Sequence, residues 1–269
     1  MTDFFSLYAS AALAVLVALT LLWLVSVAIR DASIIDLFWG PGFVLCNWVT
    51  FMLAEGSGTG RMWLVHALVT LWGLRLAMHL FVRNAGAGED ARYRRWRENG
   101  GPNWWLVTYY RIYLFQGAIM MLVALPVIIV NAAPEQASLG WLDIVGGLVW
   151  LCGFCFETVA DQQLVSFRRN PDNAGRVLDT GLWRYSLHPN YFGDALSWWG
   201  LAMIAASVPG GWISFIGPVV MTGVFLGVSN GVLERALTKS RPGYAEHVRR
   251  TSAFFPLPRR RPGGEPDSP

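Results

Sequence analysis

Between Ala160 and Asp194 the chain reads ADQQLVSFRRNPDNAGRVLDTGLWRYSLHPNYFGD, a dense run of charged and amide side chains in an otherwise apolar sequence. Ionisable groups at membrane depth cost about 2.5–3.5 kcal/mol each on insertion scales, so where they persist they usually mark a site. Glu157, Asp161 and Arg168 fall along one stripe if their helix continues past the apolar run, because residues four and seven apart share a helical face. A solvated helix face would show the same spacing. The block His188-Pro189-Asn190-Tyr191-Phe192-Gly193-Asp194 follows. Proline suits a first helical turn, where free backbone N–H groups favour an anion such as a pyrophosphate. Gly193 admits a close neighbour. Arg176 lies between these pieces, and Glu234, Tyr244, Arg249 and Arg250 come later. Arg and Asn side chains gathered from three segments suit a polyanionic nucleotide.

A second set is scattered through apolar runs. Asp36 stands in Ile34-Ile35-Asp36-Leu37-Phe38-Trp39-Gly40-Pro41, as a helix cap or as a functional carboxylate. Gly40 and Pro41 would loosen the helix just beyond it, letting backbone and a ligand approach. Arg75 and His79 lie one turn apart on one face, and Arg75 is a natural ion-pair partner for Asp36 in lipid. Gln116, preceded by Tyr109, Tyr110, Arg111 and Tyr113, gives its segment a polar end made of ligands or of interfacial anchors. Cys46, Cys152 and Cys155 sit in apolar runs and read as core residues, with no metal site expected. A Gly-x-Gly-x-x-Gly turn after a strand is missing, as are a Gly-Lys-Ser/Thr loop and strand–helix alternation, which excludes a Rossmann domain. A dinucleotide would have to bind among helices.

Membrane helices must hold these groups. Of the 269 residues 54% are hydrophobic and 14% charged, with mean hydropathy +0.39, whereas soluble domains carry about 25% charged residues. About 20 apolar residues cross a bilayer. Seven spans are expected: Phe4–Ala28, Ile35–Leu53, Met62–Val82, Leu106–Val130, Leu142–Val159, Tyr191–Val208 and Trp212–Val228. The first is long enough to span and reads as a helix rather than a cleaved leader. Arginines crowd the loop after span three (Arg83, Arg92, Arg94, Arg95, Arg97) and the loop after span five (Arg168, Arg169, Arg176, Arg184). More basic residues follow span seven (Arg235, Lys239, Arg241, Arg249, Arg250 and Arg259–Arg261), while the opposite loops hold little beyond Arg61. The positive-inside rule then places the N-terminus outside and the C-terminus in the cytoplasm. The expected class is an all-α integral membrane protein, a seven-helix bundle forming one domain over 1–258. The basic Pro/Gly tail 259–269 is expected to be disordered and able to touch anionic lipid headgroups. No inverted pair of interrupted helices favours a transporter.

With these residues in hand, the chain resembles the membrane-embedded steroid 5-alpha-reductases, particularly their bacterial branch. The matching pieces are Ala160-Asp161 with Arg168, His188 to Asp194, Arg241-Pro242-Gly243-Tyr244 and Phe254-Phe255-Pro256. Trp72-Gly73-Leu74-Arg75-Leu76-Ala77 and Gly88-Glu89-Asp90-Ala91-Arg92-Tyr93 resemble the bacterial branch specifically. The resemblance implies an inner-membrane bundle that binds NADPH at its cytoplasmic face and reduces the carbon–carbon double bond of a lipophilic enone. That substrate, a 3-oxo-Δ4-steroid or a similar molecule, would enter from the bilayer. Membrane lipids are the other expected partners, and nucleic acid is not one. Asp161, Arg168, Asn190, Tyr191, Asp194 and Tyr244 would then contact the cofactor, with Arg176, His188 and Glu234 beside them. Asp36 would help hold the substrate carbonyl, with Trp39, Trp72, Arg75, His79 and Gln116 around the substrate. The family pairs that acid with a tyrosine on span three. This chain has Trp72 there and no tyrosine in the span, which leaves Tyr110, Tyr113 or His79 as its substitute. Two rival readings remain: an S-adenosylmethionine-dependent methyltransferase of the isoprenylcysteine or phospholipid type, which shares a His-Pro-x-Tyr block and a late Glu-Arg pair, and a non-enzymatic lipid-binding protein.

Overall fold

In a computed structural model, residues 3–55, 59–86, 88–133, 138–229 and 243–259 are described. Helices make up most of them, and the only β-type pairing among the described residues is a parallel bridge between Ser186 and Ser252. The chain divides into two compact units, Met1–Gly147 with Gly200–Val220, and Leu148–Trp199 with Met221–Pro269.

In the first unit, α1 (Phe4–Ile29) begins at Asp3, whose carboxylate accepts the Ser6 N–H at 2.7 Å. Arg30, in the left-handed region at φ 55°, ends it. A 3-10 segment, Ala32–Phe38, leads into α2 (Trp39–Leu53), and α3 (Gly60–Asn84) returns. The α2–α3 crossing is made by two glycines. A Cβ on Gly40 would stand 2.2 Å from the Gly73 carbonyl oxygen, and one on Gly73 would stand 2.8 Å from that of Gly40. The close approach foreseen at Gly40 therefore exists, but α3 occupies it rather than a ligand.

A short polar helix, α4 (Ala91–Asn99), is capped by Asp90. Where one continuous span Leu106–Val130 was expected, one helical run passes through α5 (Trp104–Thr108), a π-helical stretch Tyr109–Leu114 and α6 (Phe115–Val123) and is interrupted at Ala124 before α7 (Leu125–Ala132). Pro126 accounts for the interruption, since it lacks an N–H and its ring excludes the preceding turn. At the head of α8 (Trp141–Arg169), Asp143 takes two hydrogen bonds from Arg61, 2.7 and 2.8 Å long, with both side chains almost wholly buried. The basic residue read as an isolated loop charge is half of an internal ion pair.

The second unit is built on the later turns of α8 and the first turns of α9 (Pro189–Ala205), packed at another glycine crossing. A Cβ on Gly193 would lie 2.4 Å from the Glu157 nitrogen, and one on Gly153 would lie 2.5 Å from that of Ser197. Helix α10 (Ile216–Ser229) and the short α11 (Tyr244–Arg250) complete the described helices. The chain then turns back along the loop before α9. Leu187 N–H donates to Ser252 O at 2.9 Å, Leu257 N–H to Tyr185 O at 3.1 Å, and the Ser186 hydroxyl to Phe254 O at 2.8 Å. Arg259, expected in a loose tail, is instead anchored through Asp179, 3.0 Å away, and the Arg184 carbonyl.

Among the described residues five helices are long and apolar enough to cross a membrane: Phe4–Ile29, Ala32–Leu53, Gly60–Asn84, Gly101–Val123 and Trp141–Arg169. Leu13, Leu21 and Leu24 of α1 are exposed, the surface pattern of a chain solvated by lipid. Cys152 and Cys155 lie on the exposed face of α8 and not in the core, while Cys46 is buried. Glu234 and the basic residues Arg235, Lys239 and Arg241 lie outside the described residues.

Candidate functional site

The residues singled out from the sequence fall into one polar group in each unit. In the first, Asp36 sits in the 3-10 segment ahead of α2 and accepts a hydrogen bond from the phenol of Tyr93 on α4. Gln116 donates to the Tyr93 oxygen at 3.3 Å, and the Trp39 indole donates to Gln116 Oε1 at 2.8 Å. An indole N–H can only donate, so the amide orientation of Gln116 is fixed. The result is a relay in which every hydrogen bond points the same way, Trp39 to Gln116 to Tyr93 to Asp36, and each link polarises the next. Arg92 stands 3.8 Å from the other Asp36 oxygen. Tyr93 is only 5% exposed. Burial first, then the adjacent Asp36, push its phenol well above the ordinary range, so it is a neutral donor and not a phenolate.

The loop that delivers Tyr93 is itself tied to the Asp36 segment. Glu89 accepts the Ala32 N–H at 3.0 Å and pairs with Arg97 at 2.8 Å, while Asp90 N–H reaches the Ser33 hydroxyl at 3.3 Å. The start of the 3-10 helix and the cap of α4 are thus one structure. Sequence reading sought the tyrosine partner of Asp36 among membrane residues and missed Tyr93. The signal was present, because the Gly88–Tyr93 motif contains both the anchoring acid and the tyrosine.

The other residues expected around Asp36 are distributed differently. Tyr110 is 58% exposed and takes no part. Tyr113 is fully buried and reaches the Ala32 carbonyl at 3.5 Å, a supporting contact under the 3-10 segment. Trp72 is core, edge-on to Phe43. Arg75 and His79 are half-buried on α3, and the Asp36 carboxyl is engaged by Tyr93 and Arg92 in place of the expected Arg75.

In the second unit α8 does continue past its apolar run, to Arg169, so Glu157 and Asp161 are carried on one helix and both are buried. Arg168 and Arg176 are exposed. Asn190 donates to Asp161 at 3.1 Å. The His188 ring stacks on Tyr191, and Tyr191 stacks on Phe225, with centroids 5.2 and 4.7 Å apart. Burial pushes the His188 imidazole down to about 4, which keeps it neutral near pH 7. Its Nε2 and the Asn190 Oδ1 are buried with no hydrogen-bond partner among the described residues. Asp194 and Tyr244 are also buried. Beside Tyr244 opens a cavity of about 400 Å³ lined by Arg176, Asp179, His247, Arg250 and Arg259 among others. Arg259 donates to His247 Nδ1 at 3.4 Å, and Arg250 pairs with Glu246 at 3.0 Å.

Residues 22–251 match the family described as a protein of unknown function (DUF1295). An uncharacterized protein of Schizosaccharomyces pombe is 28% identical over 263 residues, covering 87% of this chain and 75% of its own length. A steroid 5-alpha-reductase of Gossypium hirsutum is 29% identical over 75 residues, 28% of each chain. A 3-oxo-5-alpha-steroid 4-dehydrogenase 1 of Macaca fascicularis is 31% identical over 72 residues, 27% of each chain. These two alignments span little more than a quarter of either reductase. No solved structure matches the chain. With most of its length matched, this all-helical membrane protein belongs to the DUF1295 family.

Proposed function

We propose that the protein is a membrane-embedded, NADPH-dependent reductase of a lipophilic enone. The observation that carries the reading is the Tyr93–Asp36 pair with Gln116 behind it. Reduction of an enone places negative charge on the carbonyl oxygen, and preorganised donors aimed at such an oxygen contribute the largest electrostatic share of catalysis. Tyr93 turns its proton from Asp36 to the substrate oxygen. Gln116 holds the phenol in place, and Arg92 compensates the carboxylate left behind. Water supplies the proton taken up at the α carbon.

NADPH supplies the hydride for the β carbon. The residues of the second unit fit such a cofactor. His188 Nε2 and Asn190 Oδ1 are buried polar atoms in need of partners, and the Arg176–Arg250–Arg259 cavity suits phosphate groups. Asp161 orients Asn190, and Arg168, Tyr191, Asp194 and Tyr244 stand on the same segments. The partial likeness to the two reductases supports this assignment.

The proposal extends to topology. Helices α9 and α10 complete a bundle of seven spans in one domain, with the N-terminus outside and the arginine-rich loops and cofactor residues in the cytoplasm. The substrate enters from the bilayer.

The test is a panel of lipophilic enones offered to protein reconstituted in lipid, with NADPH absorbance followed over time. Thermal shifts with NADPH, NADH and S-adenosylmethionine go alongside it. Stabilisation by S-adenosylmethionine and not by NADPH would replace this reading with the methyltransferase one.

A further inference from the structure

About eleven residues along α2 from Asp36 lies a second polar cluster, one that enone reduction leaves unused. Asn47 and Thr50 of α2, His66 of α3 and Asn131 of α7 form it, with Thr70 one helical turn beyond His66. Asn47 is fully buried, Asn131 is 3% exposed and His66 5%. Asn47 Nδ2 donates to the His66 carbonyl at 3.2 Å, and Asn131 Nδ2 to the Thr50 hydroxyl oxygen at 2.8 Å. That hydroxyl has its own proton committed to the backbone carbonyls of Cys46 or Asn47, so towards Asn131 it can only accept. Both amides are therefore fixed in orientation, with their carbonyl oxygens turned away from these bonds.

Those two oxygens, both ring nitrogens of His66 and the Thr70 hydroxyl are buried with no hydrogen-bond partner among the described residues. Orphaned polar atoms are scarce in native interiors, and several gathered at one place call for an occupant.

Its chemistry follows from what the atoms offer. The amide oxygens only accept, a neutral imidazole offers one N–H and one lone pair, and a hydroxyl does both. An ether, ketone or ester oxygen, which cannot donate, leaves the amides unmet. A full charge would be buried without a counter-ion. A neutral O–H group is the best match: an alcohol donates its one proton to one amide oxygen and accepts from the imidazole N–H, and water, with two protons, reaches both amide oxygens. His66 is collared by Phe51, stacked at 4.4 Å, and by Trp48 and Trp63, edge-on at 4.1 and 5.9 Å. Trp48 and Trp63 are 39% and 53% exposed, so the collar reaches the surface that lipid covers. We propose that Asn47, His66 and Asn131 form a binding site for a neutral hydroxyl, supplied by water or by the head of a lipophilic alcohol from the bilayer. The proposal stands independently of the reductase reading.

Thermal unfolding of the full-length protein in lipid nanodiscs, with 1-dodecanol or with dodecane added, distinguishes the two sources. An alcohol site gives an upward shift with dodecanol alone, and Asn131→Leu abolishes it. A water site gives no such shift, but a high-resolution map shows density within hydrogen-bonding distance of the Asn47 and Asn131 amide oxygens that disappears in Asn131→Leu. Absence of both the shift and the density overturns the proposal. If Asn131→Leu does not fold, His66→Phe keeps the aromatic collar while removing the polar ring atoms, and it is expected to weaken the same signal.

Discussion

The phenol of Tyr93 donates its hydrogen bond to Asp36 across 57 residues of chain, from a short polar helix onto the segment that opens α2. The bond joins a membrane-embedded carboxylate to a residue outside the spans, so the Glu89–Ala32 anchor matters as much as the pair itself. Tyr93→Phe should reduce turnover of a competent enone by about 100-fold or more, as expected when one preorganised donor to a developing oxyanion is lost. Affinity for NADPH should stay unchanged. Tyr110→Phe, on an exposed ring, serves as the control and should leave the rate intact. Steady-state kinetics with both variants measure the difference.

Much of this was legible in sequence and some was not, for physical reasons. The apolar runs announced the helices, because the rule that lipid-exposed backbone must satisfy itself leaves little choice. The continuation of α8 to Arg169 could be read from Glu157, Asp161 and Arg168, since helical spacing is local. Asp36, Trp39 and Gln116 could be singled out as polar residues in apolar runs. Their partner could not, because Tyr93 lies in a loop-borne helix whose position depends on the long-range bonds of Glu89, Asp90 and Ser33. The interruption at Ala124 was hidden by hydropathy, which counts apolar residues without seeing the hydrogen bond that Pro126 removes. Arg61 looked like an isolated loop charge because nothing local reveals Asp143, 82 residues away.

That pair is the second prediction. Arg61 and Asp143 are desolvated together, and removing one strands the other. Asp143→Leu or Arg61→Met should each destabilise the protein by about 3–5 kcal/mol, whereas the two substitutions together should recover most of the loss. Unfolding in detergent, scored as a double-mutant cycle, gives the coupling.

The glycine crossing of α2 and α3 yields a third. On propensity alone Gly→Ala in a helix interior is worth up to about 1 kcal/mol. At Gly40 the added carbon would lie 2.2 Å from the Gly73 carbonyl oxygen, a backbone atom that cannot move aside cheaply. Gly40→Ala should therefore lower the unfolding midpoint, while Gly147→Ala, where a Cβ meets nothing within 4 Å, should not.

His188 makes stability depend on pH. Burial holds its folded-state value at about 4, below the roughly 6.5 of an unfolded chain. As pH falls through that window the unfolded state gains a proton that the folded state refuses, so stability is constant above about 6.5 and declines towards 4. His247, shifted downwards by burial and then by Arg259, contributes in the same direction. His188→Phe preserves the stack on Tyr191 and should shrink the acid slope without abolishing it. Unfolding midpoints between pH 4 and 7 measure this directly.

The basic cavity bears on which nicotinamide cofactor is preferred. Arg176, Arg250 and Arg259 line it together, Arg250 paired with Glu246 and Arg259 with Asp179. The 2′-phosphate that distinguishes NADPH from NADH is a dianion, and a charge-assisted hydrogen bond to it is worth about 1.5–3 kcal/mol. Losing one such bond at the lower end costs about tenfold in affinity. Arg250→Gln should therefore weaken NADPH by about tenfold or more, leave NADH nearly untouched and bring the two close together. Arg250 is exposed enough, at 40% of its side chain, that folding should survive the change. Dissociation constants for both nucleotides with wild type and variant are the measurement. Equal losses for NADPH and NADH would mean that the cavity does not hold the 2′-phosphate.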